Sequence, residues 1–317
     1  MTSGLARPRI VVVGSSNTDF IIRLGRLPKP GETLLGGEFL NAAGGKGANQ
    51  AVAAARAGGA VSFVARVGKD PLGDQAVANL VEDGIDISRV VRDPRAASGA
   101  ALIFVARNGE NSIAVASGAN NKLTPADVRR ARPLIARAKV VLMQLETPLV
   151  TVQAAARLGA AAGALVILNP APARELPGSL LRLVSILTPN ETEAQRLTGI
   201  AIKDVASAIR ATQKLRKRGV GTVVLTLGKA GALVADDLGT DLIAGFKVKA
   251  VDTTAAGDTF NGALAVALAE GQSLRQAVRL ANAAAAISVT RMGAQPSAPD
   301  RKSIERLLRR GGGSSSR

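Results

Sequence analysis

Val251-Asp252-Thr253-Thr254-Ala255-Ala256-Gly257-Asp258-Thr259-Phe260-Asn261-Gly262 sets small residues and the Asp258 carboxylate at the start of a helix. Ala263 to Glu270 continues with mostly apolar residues and no proline, so a helix is expected over Asp258 to Glu270. Its first N–H groups lack intrahelical partners and attract anions. Ala255, Ala256 and Gly257 carry no large side chain, which lets a phosphoryl group approach the backbone. Asp258 stands beside it, able to accept a hydroxyl proton. Taken alone, Asp258 reads equally well as an N-cap.

Outward from this stretch, apolar runs at Ile10 to Val13, Val61 to Ala65, Val140 to Leu145, Leu165 to Leu168, Ser185 to Leu187 and Thr222 to Leu225 read as strands. They alternate with helical stretches at Lys46 to Ala57, Leu72 to Asp83, Leu149 to Ala162, Glu191 to Leu197, Val205 to Arg218 and Leu274 to Thr290. That alternation predicts an α/β layered core. Phe20 to Leu24 and Thr33 to Leu40 break it: they read as short strands around Leu27-Pro28-Lys29-Pro30-Gly31 and suggest a small sheet apart from the core, or an ordinary edge hairpin.

Composition narrows the chemistry. The chain has 317 residues, no Cys and no His, which excludes disulfides, thiolate or imidazole metal sites and His-based triads. Carboxylates, backbone amides and basic groups remain. Trp and Tyr are missing too, and the joint loss of four residue types is expected of a simplified or redesigned sequence. A net charge of +17 would attract polyanions, but the charges are scattered over helical patterns without aromatic platforms, so no specific nucleic-acid binding is expected. Neither a membrane-spanning apolar run nor a signal-peptide core in Met1 to Pro8 is present, and a cytoplasmic protein without membrane attachment is expected.

Two further clusters give the chain a specific likeness. Asn17-Thr18-Asp19 follows the first strand, and Gly44-Gly45-Lys46-Gly47-Ala48-Asn49 precedes an Ala-rich helix. The latter is no P-loop, since Gly47 follows Lys46 where Ser or Thr is required and Leu40 stands at the first Gly position. Together with Asn190-Glu191-Thr192-Glu193 and the Asp258 stretch, these segments resemble the ribokinase family of carbohydrate kinases. The likeness is colinear from about Arg9 to Leu308 and continues through Gln144-Leu145-Glu146, Asn169 to Pro177 and Thr290 to Ser297.

The resemblance implies a three-layer α/β/α core with a small β-sheet lid. One kinase domain would span residues 1–310, with lid strands near 20–40 and 100–116 and a flexible tail at 311–317. It implies transfer of the γ-phosphoryl group of ATP to O5 of D-ribose; the alternatives are deoxyribose or another pentose or hexose, or a silent sugar- or nucleotide-binding protein. Asp258 would be the base, with the Ala255, Ala256 and Gly257 amides stabilising charge. Asn17, Asp19, Gly45, Lys46, Asn49 and Glu146 would hold the sugar. Asn190, Thr226, Gly228, Lys229, Gly231, Gly257 and Asn282 would hold ATP.

Glu193 would hold Mg2+ through water, and Asp252, Thr254, Ser288, Arg291, Gly293 and Ser297 would surround a monovalent cation, K+. A homodimer through the lid is implied as well. Residue by residue, other readings stay open: an Asx turn for Asp19, helix capping for Asn190 and Glu193, a tight turn for Thr226 to Gly231, an interhelical contact for Asn282, and a capped turn for Asp252.

Overall fold

The computed structural model describes residues 7–311, so most of Met1 to Pro8 and of the 311–317 tail lies outside the described residues. In chain order the strands are β1 (Arg9–Val13), β2 (Asn17–Leu24), β3 (Glu38–Gly44), β4 (Ala60–Gly68), β5 (Asp86–Asp93), β6 (Gly99–Ala106), β7 (Asn111–Ala116), β8 (Val140–Met143), β9 (Leu165–Leu168), β10 (Ile186–Leu187), β11 (Thr222–Thr226), β12 (Gly231–Asp236) and β13 (Gly239–Ala244). The helices are α1 (Lys46–Arg56), α2 (Pro71–Glu82), α3 (Pro125–Arg130), α4 (Arg132–Ile135), α5 (Leu149–Ala161), α6 (Gly178–Leu181), α7 (Glu191–Thr198), α8 (Val205–Lys217), α9 (Ala256–Ala269), α10 (Leu274–Ser288) and α11 (Arg301–Gly311).

A nine-stranded sheet runs in the order β13-β12-β11-β10-β9-β8-β1-β4-β5. The strands from β11 through β1 to β5 are parallel, whereas β12 and β13 add an antiparallel edge. Ile10 to Val13, Val140 to Met143 and Val223 to Leu225 are buried, as strands covered by helices on both faces must be. One apolar cluster joins α1, α9 and α10 to the sheet, and another joins α3 and α5 to its other face. Chain order reverses at β1, between β8 and β4. In an open α/β sheet, the crevice at the carboxyl ends of strands beside such a reversal is where ligands bind.

A second sheet, β3-β2-β6-β7, stands apart from the first. Its Phe39, Leu102, Ile113 and Val115 are exposed, and Phe20 stacks on Phe39 with ring centroids 6.2 Å apart.

Several expected boundaries move. The strand expected at Thr33 to Leu40 is instead Glu38–Gly44, because Gly36 and Gly37 take positive φ and break extension just before it. Asn17-Thr18-Asp19, expected ahead of a strand at Phe20, lies inside β2, paired with both β3 and β6. The half-exposed strand β5 and the edge strand β13 lack a continuous apolar run, which is why periodicity did not reveal them, whereas β12 has only the short buried run Ala232 to Ala235, directly behind a glycine-marked turn.

Candidate active site

α9 begins at Ala256, two residues before the expected start, because Ala255 takes the left-handed conformation (φ 56°, ψ 16°) that turns the chain into the helix. Among the described residues it is the only non-glycine with positive φ. Such a conformation costs an L-residue roughly 1–2 kcal/mol and is a feature of constrained functional loops. Asp258 therefore sits in the first turn rather than at the cap, and its side chain does not cap the helix. Its carboxylate accepts from Asn49 Nδ2 at 3.0 Å and Gln50 Nε2 at 2.9 Å.

Those two amides arrive on α1, and close helix packing puts them there. A Cβ at Gly262 would stand 2.7 Å from Ala53 Cβ and from the Ala54 backbone nitrogen, so only glycine lets α9 approach α1 this closely. Asn49 and Gln50 are thereby locked against a carboxylate that is only 6% exposed. Burial pushes the Asp258 carboxyl above its usual range, against the opposing pull of Lys46, Asn49 and Gln50. That direction suits a general base working near neutral pH.

The amide network continues behind the carboxylate. Gln144 Nε2 donates to Gln50 Oε1 at 2.6 Å, Gln50 Nε2 also donates to Asn169 Oδ1 at 3.1 Å, and Asn169 Nδ2 donates to the Thr188 carbonyl at 3.0 Å. Thr188 Oγ1 then donates to Asn261 Oδ1 at 2.6 Å, and Asn261 Nδ2 donates to the Gly257 carbonyl at 2.8 Å. The network thus joins Asp258 to the peptide in front of it. Gln50, Gln144, Asn169, Thr188 and Asn261 were missed as functional positions. The available signal was a polar residue immediately after an apolar strand, as with Gln144 after β8 and Asn169 after β9.

A cavity of about 160 Å³ opens in front of this peptide, lined among others by Lys46, Asn190, Glu193, Thr226, Ala255, Gly257 and Asp258. A Cβ at Gly257 would meet nothing within 4 Å, and no acceptor among the described residues takes the Gly257 N–H. The Ala256 N–H is less free than expected, because it donates to the Thr253 carbonyl at 3.3 Å. A larger cavity, about 280 Å³, lies at the opposite ends of β1 and β4 around Arg9, Ser62 and Arg137. Its carboxylate, Asp86, is already engaged by Ser62 Oγ and the Ser88 N–H. Chemistry rather than size therefore selects the smaller one.

Beside Asp258 lie the polar groups of β2 and the glycine-rich turn. Glu146 accepts from Ser15 Oγ at 2.6 Å and from the Lys46 N–H at 3.0 Å. Gly45 has φ 85°, and a Cβ there would stand 2.7 Å from the Asn17 nitrogen. A Cβ at Gly44 would fall on the Asp19 carboxylate, so glycine makes room for it. Asp19 lies within β2 and forms no Asx turn. Its carboxyl is raised to about 6, first by burial and then by Glu146 and Asp258, while Lys46 opposes the rise. Burial would lower the Lys46 ammonium, but Asp258, Glu146, Glu193 and Asp19 together hold it above its ordinary value. Lys46 is the positive centre of a ring of carboxylates.

On the other flank, Asn190 and Glu193 form a capping box on α7: Glu193 N donates to Asn190 Oδ1 at 2.8 Å, and Asn190 N donates to Glu193 Oε2 at 2.9 Å. They also line the cavity, so capping and cavity lining coexist. Asn190 is bridged to Thr226 at the end of β11. Gly228 and Gly231 both take positive φ in the turn that follows, with Lys229 exposed between them. Asn282 stands apart from that cavity and is no interhelical contact: its Nδ2 donates to the Ile243 carbonyl at 2.9 Å and the Ala244 carbonyl at 3.3 Å, at the end of β13.

Asp252 lies just before the helix turn. It accepts from the Thr254 N–H at 2.9 Å and the Gly293 N–H at 2.8 Å, clamping the loop from Arg291 to Ser297 onto the segment leading to Ala255. Ser288 and Ser297 direct their hydroxyls to the Ala285 and Ala294 carbonyls.

Fold and site define a phosphotransferase class. Residues 7–301 match the model of the pfkB family carbohydrate kinases, and the chain belongs to that family. It is a kinase acting on a carbohydrate acceptor. Within the family the chain is 47% identical to a ribokinase from Haemophilus influenzae over 95% of this chain and 99% of that protein. It is 38% identical to a deoxyribokinase from Salmonella typhi over 94% of this chain and 98% of that one. A solved ribokinase of Arabidopsis thaliana, in complex with ribose and ATP, superimposes with a TM-score of 0.88 at 36% identity, covering 96% of this chain and 99% of the other.

Proposed function

We propose that the chain transfers the γ-phosphoryl group of ATP to the O5 hydroxyl of D-ribose, giving ribose 5-phosphate and ADP. The observation that carries the reading is the buried Asp258 carboxylate, held by two amide donors beside the open Gly257 peptide. The similarity to ribokinases supplies the sugar. As O5 attacks phosphorus, its proton passes to Asp258 and the bond between phosphorus and the β,γ-bridging oxygen breaks. The Gly257 N–H, together with the start of α9, faces the charge that develops on the transferring oxygens. Asn17, Asp19, Gly45, Lys46, Asn49 and Glu146 form the sugar side; the unpartnered, buried Asn49 Oδ1 suits a sugar hydroxyl as donor.

Asn190, Thr226 and the turn from Gly228 to Gly231 belong to the ATP side, and Asn282 would reach adenine through its oxygen, because its nitrogen is engaged with β13. Mg2+, which neutralises phosphate charge when bound, fits Glu193 through water. No group of three acidic side chains stands ready to bind a metal directly among the described residues, and the Glu193 carboxylate lines the cavity. ATP use accords with a cytoplasmic location. The exposed Phe39, Leu102, Ile113 and Val115 suit a homodimer packed lid to lid.

K+ would sit among oxygens of Asp252, Thr254, Ser288, Arg291, Gly293 and Ser297. The Asp252 bond to Gly293 supports this reading, because it joins the two segments such a cation would bridge. Potassium replacing a bulky organic cation at equal ionic strength should raise turnover, and Asp252→Ala should abolish the response. Equal rates in both salts at saturating magnesium would eliminate the cation site.

A sugar panel tests the function itself. ADP release should depend on added sugar, with D-ribose among the best acceptors. A ketohexose or a nucleoside clearly outperforming ribose would overturn the substrate assignment.

A further inference from the structure

Asn120 lies in the short turn that follows β7 out of the lid and is 2% exposed. All its side-chain bonds go to the two residues where β2 leaves the core. Ser16 N donates to Asn120 Oδ1 at 2.9 Å, and Asn120 Nδ2 donates to the Ser16 carbonyl at 3.1 Å and to Asn17 Oδ1 at 2.7 Å. The backbone atoms of Ser16 decide which end of the Asn120 amide is which, since an N–H only donates and a carbonyl only accepts. Both Nδ2 hydrogens are then in use. The Asn17 atom facing Nδ2 must be an acceptor, so Asn17 is held with its oxygen toward Asn120 and its nitrogen away.

Among the described residues no acceptor takes Asn17 Nδ2. Gly99, the first residue of β6 and the register partner of Asn17, is part of the same arrangement. A Cβ at position 99 would fall on both Asn120 Nδ2 and Asn17 Oδ1. Only glycine lets the two amides meet there.

We propose that Asn120 is a positioning residue that fixes the Asn17 amide as a hydrogen-bond donor toward the sugar, at the point where the lid strands β2 and β6 leave the core. The inference rests on the reading of Asn17 as a sugar ligand. Asn120 itself touches no substrate; it acts through Asn17 and couples that residue's orientation to the base of the lid.

Asn120→Asp keeps size and keeps an acceptor for Ser16 N, but it places a carboxylate oxygen against both Asn17 Oδ1 and the Ser16 carbonyl, of which only the Asn17 amide can turn over. Asn17 then turns its amide over and presents oxygen where the sugar needs a donor. KM for ribose should rise about tenfold while KM for ATP stays within about twofold. In an Asn17→Ala background, Asn120→Asp should add no further rise in ribose KM, because the side chain it acts through is gone, while its clash with the Ser16 carbonyl shows only as a lower melting temperature. Asn120→Ser, which removes the Asn17 bond and those to Ser16 without adding charge, should give the same sugar-selective rise, with any loss of folding read in parallel by thermal melting. If Asn17→Ala impairs ribose use but both Asn120 variants keep the parent KM, or lose equally in both backgrounds, the positioning role is overturned. A normal ribose KM in Asn17→Ala would overturn the sugar role of Asn17 and this inference with it.

Discussion

Asp258→Asn should bind ATP and sugar nearly as the parent does and lose turnover by about 10²–10⁴-fold, the range typical of a removed general base. The surroundings favour a clean result. Asn preserves the size of the side chain, and although Asn49 and Gln50 both present donors to this position, Asn49 Oδ1 has no partner among the described residues. Asn49 can turn its amide over and accept from the new one, so the substitution need not leave two donors opposed, and any weakening of ribose binding is confined to the one hydroxyl bond that Asn49 Oδ1 would otherwise accept. Removing a carboxylate whose ionised form burial disfavours also offsets part of the lost hydrogen bonding. ADP release should fall while calorimetric titrations of ATP and ribose stay close to the parent. Turnover near the parent's would reject Asp258 as the base; lost binding of both ligands would point to a disturbed fold.

Asp19→Asn should separate stability from function. In the fold this carboxyl titrates at about 6 against an ordinary 3.8, with burial the chief cause. Its proton is held more tightly in the folded than in the unfolded chain, so the folded state is disfavoured progressively as pH rises from 3.8 through about 6. Above that window the ionised group weighs against folding by about 3 kcal/mol, taking 1.36 kcal/mol per pKa unit. Asn carries no such charge, so the variant should melt higher than the parent at pH 8 and show little difference near pH 4. Sugar use should move the other way. A carboxylate accepts from two hydroxyls at once, and a site built for hydroxyls loses heavily when its partner is wrong, so kcat/KM for ribose should drop on the order of 10³-fold with ATP binding preserved. The parent's ribose KM should also rise as pH falls below about 6, because protonation removes one acceptor. An unchanged ribose response in Asp19→Asn would remove this residue from the site.

The core was legible because its strands are buried on both faces and read as unbroken apolar runs, as in Ile10 to Val13 and Val140 to Met143. Elements at the sheet's edges were not: β5 is exposed or half-exposed along nearly its whole length, β13 is an exposed edge without an apolar run, and β12, though buried, carries only the short Ala232 to Ala235 run directly behind a glycine-marked turn. At the site, Asp258, Asn49, Lys46 and Glu146 stood out because they lie within glycine-marked segments or beside a strand end. Gln50, Asn261 and Asn120 did not, although their amides orient the groups that do the chemistry. Their importance lies in pairings across the chain, such as Gln50 with Asp258, and one-dimensional spacing carries no trace of those. Asp258 itself was readable as a cap until α9 was seen to start at Ala256, which moved the carboxylate into the first turn and onto α1.

The most direct test of the central claim is the structure of the product formed from ATP and D-ribose, read by phosphorus and carbon NMR alongside ADP release. Attack by O5 with Asp258 as base predicts one phosphomonoester, its phosphorus coupled to the protons on C5, formed in a one-to-one ratio with ADP. A phosphate at C1, or ADP and inorganic phosphate with the sugar unchanged, would contradict it.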